Sequence, residues 1–285
     1  MKKKVFGIAG IVAVVVACSL GYCGEEERER EEPRGQKIPA LEIGYEFTYF
    51  YYKESVVFGP DMQESGMLHG PRAMGTYLPG KLMLRGEVHY WTGELGYDGH
   101  LQNGSPLRTD TEDDLYDVRG LIGLDLRSDS STEAAILFTG IGYRYWNDTI
   151  GSPYGYEREI AQLYMPLIGM DMSRRTESKG AWGVRGELDI LLHGTVASHL
   201  SDVSPAYDDA ENEQKVGTGF GMRFSFYYRF PIGQSTSISL EPFLGWWHVA
   251  QSEESEEVRL GSKTGTVNEP ENDTLTAGVG ASLCW

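Results

Sequence analysis

Gly217 to Phe230 reads GTGFGMRFSFYYRF, and the parity of that run decides the fold. Thr218, Phe220, Met222, Phe224, Phe226, Tyr228 and Phe230 stand at even positions. Gly217, Gly219, Gly221, Arg223, Ser225, Tyr227 and Arg229 stand at odd ones. Successive side chains of a strand point to opposite faces, so a period of two is the mark of a β-strand. One face of this strand is apolar and aromatic almost throughout, and the other carries glycine, serine and arginine. That division suits a membrane barrel, whose outward residues meet lipid and whose inward ones meet a polar lumen.

The same period governs both flanks. Leu41, Ile43, Tyr45, Phe47, Tyr49 and Tyr51 alternate with Glu42, Glu46 and Thr48, and Leu275, Ala277, Val279, Ala281, Leu283 and Trp285 alternate with Thr274, Thr276, Gly278, Gly280 and Ser282. A soluble sandwich alternates too, so strand length and connections decide. Ten strands read near residues 40–53, 68–78, 81–97, 115–127, 132–147, 158–173, 179–199, 214–230, 235–251 and 273–285. They are far longer than the roughly 5–6 residues usual in globular sheets, and long enough for the ~9–11 residues a tilted strand needs inside a bilayer. Short turns at Leu78 to Lys81, Ser128 to Thr132, Ser173 to Lys179 and Pro231 to Ser235 alternate with long polar loops. Those loops run over Glu54 to Pro71, Asp98 to Asp114, Asp148 to Glu157, Ser201 to Gln214 and Ser252 to Asn272. Short periplasmic turns and long external loops are the habit of outer-membrane barrels. The predicted fold is all-β: an antiparallel up-and-down transmembrane β-barrel over 40–285, with about ten strands and eight as the alternative. Aromatic clusters at Tyr49 to Tyr52, at Tyr143, Tyr145 and Trp146, and at Trp246 and Trp247 are expected to mark the headgroup level.

Mean hydropathy is −0.35, unremarkable for strands that alternate polar and apolar residues. Past the N-terminal run, nothing approaches the 18 or so consecutive apolar residues of a spanning helix. Residues 1–23 read as a signal peptide: Lys2, Lys3 and Lys4 precede a short apolar stretch, Val5 to Ala17. Two processing routes fit. Ser19-Leu20-Gly21 offers small residues to a signal peptidase, and Val15-Val16-Ala17-Cys18 has the form of a lipobox in which Cys18 is lipidated. Residues 24–39 are a charge-dense leader without an apolar face, expected to be disordered. The three cysteines, Cys18, Cys23 and Cys284, allow no disulfide framework and no cysteine-rich metal site. Formal net charge is −17, which argues against nucleic-acid partners.

Several runs also carry a resemblance. Val118-Arg119-Gly120-Leu121-Ile122-Gly123, Gly142-Tyr143-Arg144-Tyr145, Leu200-Ser201-Asp202-Val203, Leu240-Glu241-Pro242-Phe243 and Glu269-Pro270-Glu271-Asn272-Asp273-Thr274 resemble a family of uncharacterised proteobacterial outer-membrane β-barrel proteins. The resemblance covers roughly 40 to 285. It implies a barrel in the outer membrane of a Gram-negative bacterium and transfers no catalytic residue. The partners expected are outer-membrane lipid, lipopolysaccharide and the barrel-insertion machinery, which would read the last strand ending at Trp285.

The polar parity predicts an inward face holding Glu42, Glu46, Arg85, Glu87, His89, Asp117, Arg119, Asp125, Arg127, Arg144, Arg185, Glu187, Asp189, His193, Arg223, Arg229 and Glu241. A narrow barrel is filled by its own side chains, and buried charge must be paired. The expectation is therefore a salt-bridged polar plug, with the acidic external loops carrying any recognition. The alternatives are a narrow channel, a surface adhesin or receptor, and a rim hydrolase of omptin type. In the last, Asp189 would orient His193, which shares its strand face, to activate water. Asp110, Glu112, Asp113 and Asp114, and Asp208, Asp209, Glu211 and Glu213, form acidic clusters of the oxygen-ligand kind calcium prefers, but without EF-hand spacing. The six histidines show no zinc spacing, and no metal or cofactor is predicted. Gly217, Gly219 and Gly221 are expected to relieve crowding in the lumen.

Overall fold

The computed structural model describes residues 38–56, 61–101, 104–127, 133–151, 155–177 and 180–285. The predicted signal peptide with Cys18, the predicted leader up to residue 37 and the predicted turn at 128–132 lie outside the described residues.

The strands are β1 (Leu41–Ser55), β2 (Met62–Tyr77), β3 (Leu82–His100), β4 (Pro106–Asp125), β5 (Glu133–Ile150), β6 (Glu157–Arg175), β7 (Ala181–Ser198), β8 (Ala210–Gln214), β9 (Gly219–Pro231), β10 (Ser237–Val249), β11 (Ser255–Arg259), β12 (Ser262–Val267) and β13 (Glu271–Cys284). Neighbours from β1 to β7 pair antiparallel in sequence order. β8 and β9 share one position in the wall. β8 pairs with the upper part of β7 (Gly194–Ser198) and β9 with the lower part (Ala181–Ile190). Between them the chain turns at Gly217, whose φ of 77° favours glycine. β10 then pairs with β9 and β13, and β13 pairs with β1, Glu42 opposite Cys284. The ring of ten is closed, so it has no free edge. β11 and β12 form a hairpin of their own inside the β10–β13 connection.

The outer surface defines the membrane belt. Phe47, Phe224 (55% exposed), Leu124, Ile141, Leu188 and Val279 all lie outward and exposed, a waste of apolar surface in water and the required surface in lipid. On β4 the outward row Tyr116, Val118, Gly120, Ile122, Leu124 and Leu126 gives way upward to Asp114, Glu112 and Asp110. The spanning segment here is thus Tyr116 to Leu126, just past the end of β4, and the strand continues above it. Tyr90, Tyr116 and Tyr145 sit side by side in register at this boundary. Tyr90 donates to Asp114 at 2.5 Å and Tyr145 to Glu159 at 2.5 Å, each joining the girdle to the acidic row above. Tyr51, Leu275 and Trp246 continue the boundary, and Trp246 Nε1 donates to Asp273 at 3.1 Å. The closed barrel and its lipid-facing belt place the chain in the outer membrane.

Two expectations about the wall need correction. The external loops are shorter than the sequence suggests, because β2 begins at Met62, β4 at Pro106 and β5 runs to Ile150. At about 3.4 Å per residue and a tilt near 40°, the 20 residues of β4 rise roughly 50 Å, well past a hydrocarbon core of about 30 Å. Above the belt both faces are polar, so the hydrophobic period fades although the strand persists. The aromatic clusters also divide between the faces: Tyr49, Tyr143 and Trp246 look out, while Phe50, Tyr52, Trp146 and Trp247 are buried inside.

Candidate functional site: the charged lumen

The interior is filled in tiers. At the periplasmic end Met83, Leu121, Ile136 and Phe138 form an apolar base, against which Ile38 and Leu78 pack. Asp125 and Arg127 pair at this mouth, 2.5 Å apart. Next comes a dense ionic tier at membrane depth. Arg72 Nη1 donates to Glu46 at 3.1 Å and its Nη2 to Glu241 at 2.7 Å, and Glu42 lies 3.9 Å away. Arg229 donates to Glu42 at 2.8 Å. Asp171 receives Arg85 at 3.0 Å, Arg185 at 3.2 Å and the Tyr227 hydroxyl at 2.8 Å. Arg119 bridges Glu87, from 2.5 Å, and Glu187. Arg223 donates to Asp117 at 2.8 Å and to Tyr164 at 2.7 Å, with Glu187 at 3.2 Å and Asp189 at 3.5 Å. Arg144 lies 3.6 Å from Asp117 and stacks on Trp247, and His89 Nδ1 lies 3.0 Å from Glu46. Seven arginines and His89 thus face eight carboxylates in this tier. A cavity of about 100 Å³ lies among Glu46, Arg72, Arg119, Glu187, Arg223 and Trp247, room for several waters.

Glycines make this filling sterically feasible. A Cβ on Gly142 would fall 2.2 Å from the Tyr164 ring, and one on Gly221 2.6 Å from the Trp247 indole. The bare backbone opposite each ring is what lets a ten-stranded lumen hold aromatics of this size.

Over the ionic tier lies an apolar one: Phe50, Tyr52, Leu68, Leu95, Leu115, Trp146, Ile160 and Val196. Phe50 and Tyr52 both meet the Trp146 indole edge-on, at 5.2 and 4.8 Å. Above it, in the part of the barrel that has left the membrane, a second charged cluster surrounds Arg158. This arginine pairs with Glu54, with Asp148 at 2.9 Å, and with Glu64 and Glu269 at 3.3 Å each. Asp113 accepts from Thr111 at 2.6 Å and from Trp146 at 2.7 Å. Burial, reinforced by the neighbouring Asp148 carboxylate, pushes Asp113 up to about 7. Burial and the nearby Glu54 raise Glu269 as well.

Most residues expected inside are inside, and the ionic tier brings them together. His193 is the correction. β7 carries a bulge: Leu163 lies opposite His193, but Tyr164 lies opposite Leu191, so Leu192 is an extra residue in the wall. The bulge shifts the phase of the strand. Leu191 remains inward and buried, and His193 emerges exposed on the outer surface. Asp189 stays buried inside, so the two do not form a dyad. Sequence reasoning missed Arg72 and Asp171 in the ionic tier, and Glu64, Asp148, Arg158 and Glu269 above it; Asp113 stands in the sequence only as one of an acidic loop cluster, not as a lumen residue. Asp171, flanked by Met170 and Met172, had the alternation that would have found it.

No protein-family model and no curated protein matches the chain. Among solved structures, the outer membrane protease OmpT from Escherichia coli is similar with a TM-score of 0.54 at 11% identity, over 86% of this chain and 96% of that one. The translocator domain of the autotransporter NalP from Neisseria meningitidis (TM-score 0.37, 10% identity, 96% and 95% covered) shares less. So does OprG from Pseudomonas aeruginosa (TM-score 0.37, 8% identity, 88% and 99% covered). At such identity the likeness to OmpT is one of fold: this chain has the architecture of an outer-membrane β-barrel.

Proposed function

We propose that the barrel is closed to diffusion and serves as a rigid mount. Its ionic tier acts as a structural plug, and the acidic surfaces above the membrane bind a partner outside the cell. The observation that carries this reading is the filling of the lumen. Leu68, Leu95, Leu115, Tyr52 and Tyr164 are each no more than 4% exposed, which supports a lumen packed by its own side chains. The alternative of a rim hydrolase built on Asp189 and His193 loses its geometry, since these residues lie on opposite sides of the wall. Glu256 in the β11–β12 hairpin, Glu253 and Glu254 just before it, and Glu211 and Glu213 on β8 are exposed, a surface suited to a cationic partner. Insertion through the barrel-assembly machinery and contact with lipopolysaccharide belong to the same proposal.

Planar-bilayer recording of the refolded chain tests the plug. We expect no steady single-channel steps; stable openings whose selectivity changes with Arg223→Ala would overturn it. Deleting residues 254–268 should abolish binding to cationic ligands or cells while leaving the folded, heat-modifiable band on gels.

A further inference from the structure

We propose that the upper tier of the lumen holds a divalent cation, calcium by its dimensions, between the carboxylates of Glu64, Asp113 and Asp148. Three strands supply them: β2, β4 and β5. Asp113 and Asp148 are direct cross-strand partners, and all three side chains are at most 2% exposed. One carboxylate oxygen from each lies within 4.8 Å of the others. A Ca²⁺ ion at 2.3–2.6 Å from its ligands spans such a spread with little movement, whereas Mg²⁺, at about 2.0–2.1 Å in strict octahedral geometry, would require the ligands to draw closer.

Two independent observations point to an occupant. The first is charge: among the described residues Arg158 is the one cation paired within this cluster, and it faces Glu54, Glu64, Asp113, Asp148 and Glu269. Its own contacts go to four of them. Buried carboxylates in that excess need neutralising. The second is orientation. Glu64 gives one oxygen to Arg158 at 3.3 Å and Asp148 gives one at 2.9 Å, and the remaining oxygen of each, Glu64 Oε2 and Asp148 Oδ1, is buried without a hydrogen-bond partner. Asp113 already accepts from Thr111 and Trp146, and its oxygens keep a lone pair for a metal. The sequence neighbours Asp110, Glu112 and Asp114 take no part, because alternation turns them outward. The competing occupant is a proton shared between Glu64 and Asp148.

The test uses the full chain refolded in detergent, stripped with chelator, at pH 7.5. Calcium chloride is titrated calorimetrically, and Tb³⁺ luminescence is excited through Trp146, whose indole donates to Asp113. We expect one ion per barrel, a rise of several degrees in melting temperature, and at least a tenfold loss of affinity in both Glu64→Gln and Asp148→Asn. Asp110→Asn and Glu112→Gln should bind as the parent does. Absence of calcium uptake by the parent protein would overturn the proposal in favour of the shared proton. Undiminished affinity in the Glu64→Gln and Asp148→Asn variants would overturn it too.

Discussion

The two charged tiers of the lumen are built from the same side chains in opposite proportions. At membrane depth, arginines and carboxylates nearly balance, and Arg119 and Arg223 each touch more than one acid. Above the membrane, five carboxylates gather around Arg158. The difference follows the surroundings of the wall. Within the lipid belt no ion or water arrives from the side, so the protein must neutralise its own charge. In the extension, water and ions of the medium are close, and an imbalance can be met from outside. The lower tier neutralises itself, whereas the upper one leaves a charge that the medium can meet.

The sharpest way to break this contrast is to remove a cation from the balanced tier. Arg119→Ala leaves Glu87 and Glu187 buried without their main partner, and should cost about 3–5 kcal/mol. The loss should appear as a lower unfolding temperature of the heat-modifiable band at every pH at which these acids stay ionised. An outward charge tests the boundary of the belt. Phe224→Arg should cost roughly 2–4 kcal/mol and impair insertion into vesicles, because the residue faces lipid near mid-depth.

Neutralising an acid should have opposite signs in the two tiers. Glu187→Gln removes the charge held by Arg119 and Arg223 and should destabilise by about 1–3 kcal/mol. Asp113→Asn, in metal-free buffer at pH 8, should stabilise instead. Asp113 is raised from the ordinary carboxylate range to about 7, by burial and then by Asp148. The protonated form is thus the one the fold favours. Its stabilising contribution is complete below about pH 4 and is lost as pH rises through 7. Metal-free melting temperature should consequently fall between pH 5 and pH 8, and the Asp113→Asn variant should show a flatter profile. The smallest effect belongs to His193→Ala. On the outer wall and outside any dyad, it should change stability by no more than about 0.5 kcal/mol.

The alternation in β1, β9 and β13 made the ring of ten legible, because those strands lie almost wholly within the belt. Lipid outside and polarity inside write themselves directly into odd and even positions. The upper tier was illegible for the reason that makes it distinctive. Once β4 passes Tyr116, its outward residues Asp114, Glu112 and Asp110 are as polar as inward Asp113, and the run looks like a loop. Arg72 lies within the predicted strand 68–78, but it shares its inward face with Leu68 and Met74, so a polar parity does not single it out. His193 was misplaced by a different cause. A single extra residue at Leu192 changes the phase of β7, and nothing in the composition around it announces a bulge.

The pairing of β1 with β13 has a consequence in time. Leu41 and Ala40 donate their N–H groups to the carbonyl of Trp285, and Trp285 donates to Leu41, at the end of a seam whose partners run from Glu42 opposite Cys284 to Ser55 opposite Glu271, far apart in the chain. Contacts so distant in sequence form late. Until β13 arrives, β1 is a fifteen-residue edge with unpaired donors and acceptors and an apolar outer face, the kind of template on which a second chain can add. Every molecule must therefore be escorted with one lip open. Shortening the last strand by a few residues would leave a vessel that has nearly all its walls and cannot be sealed.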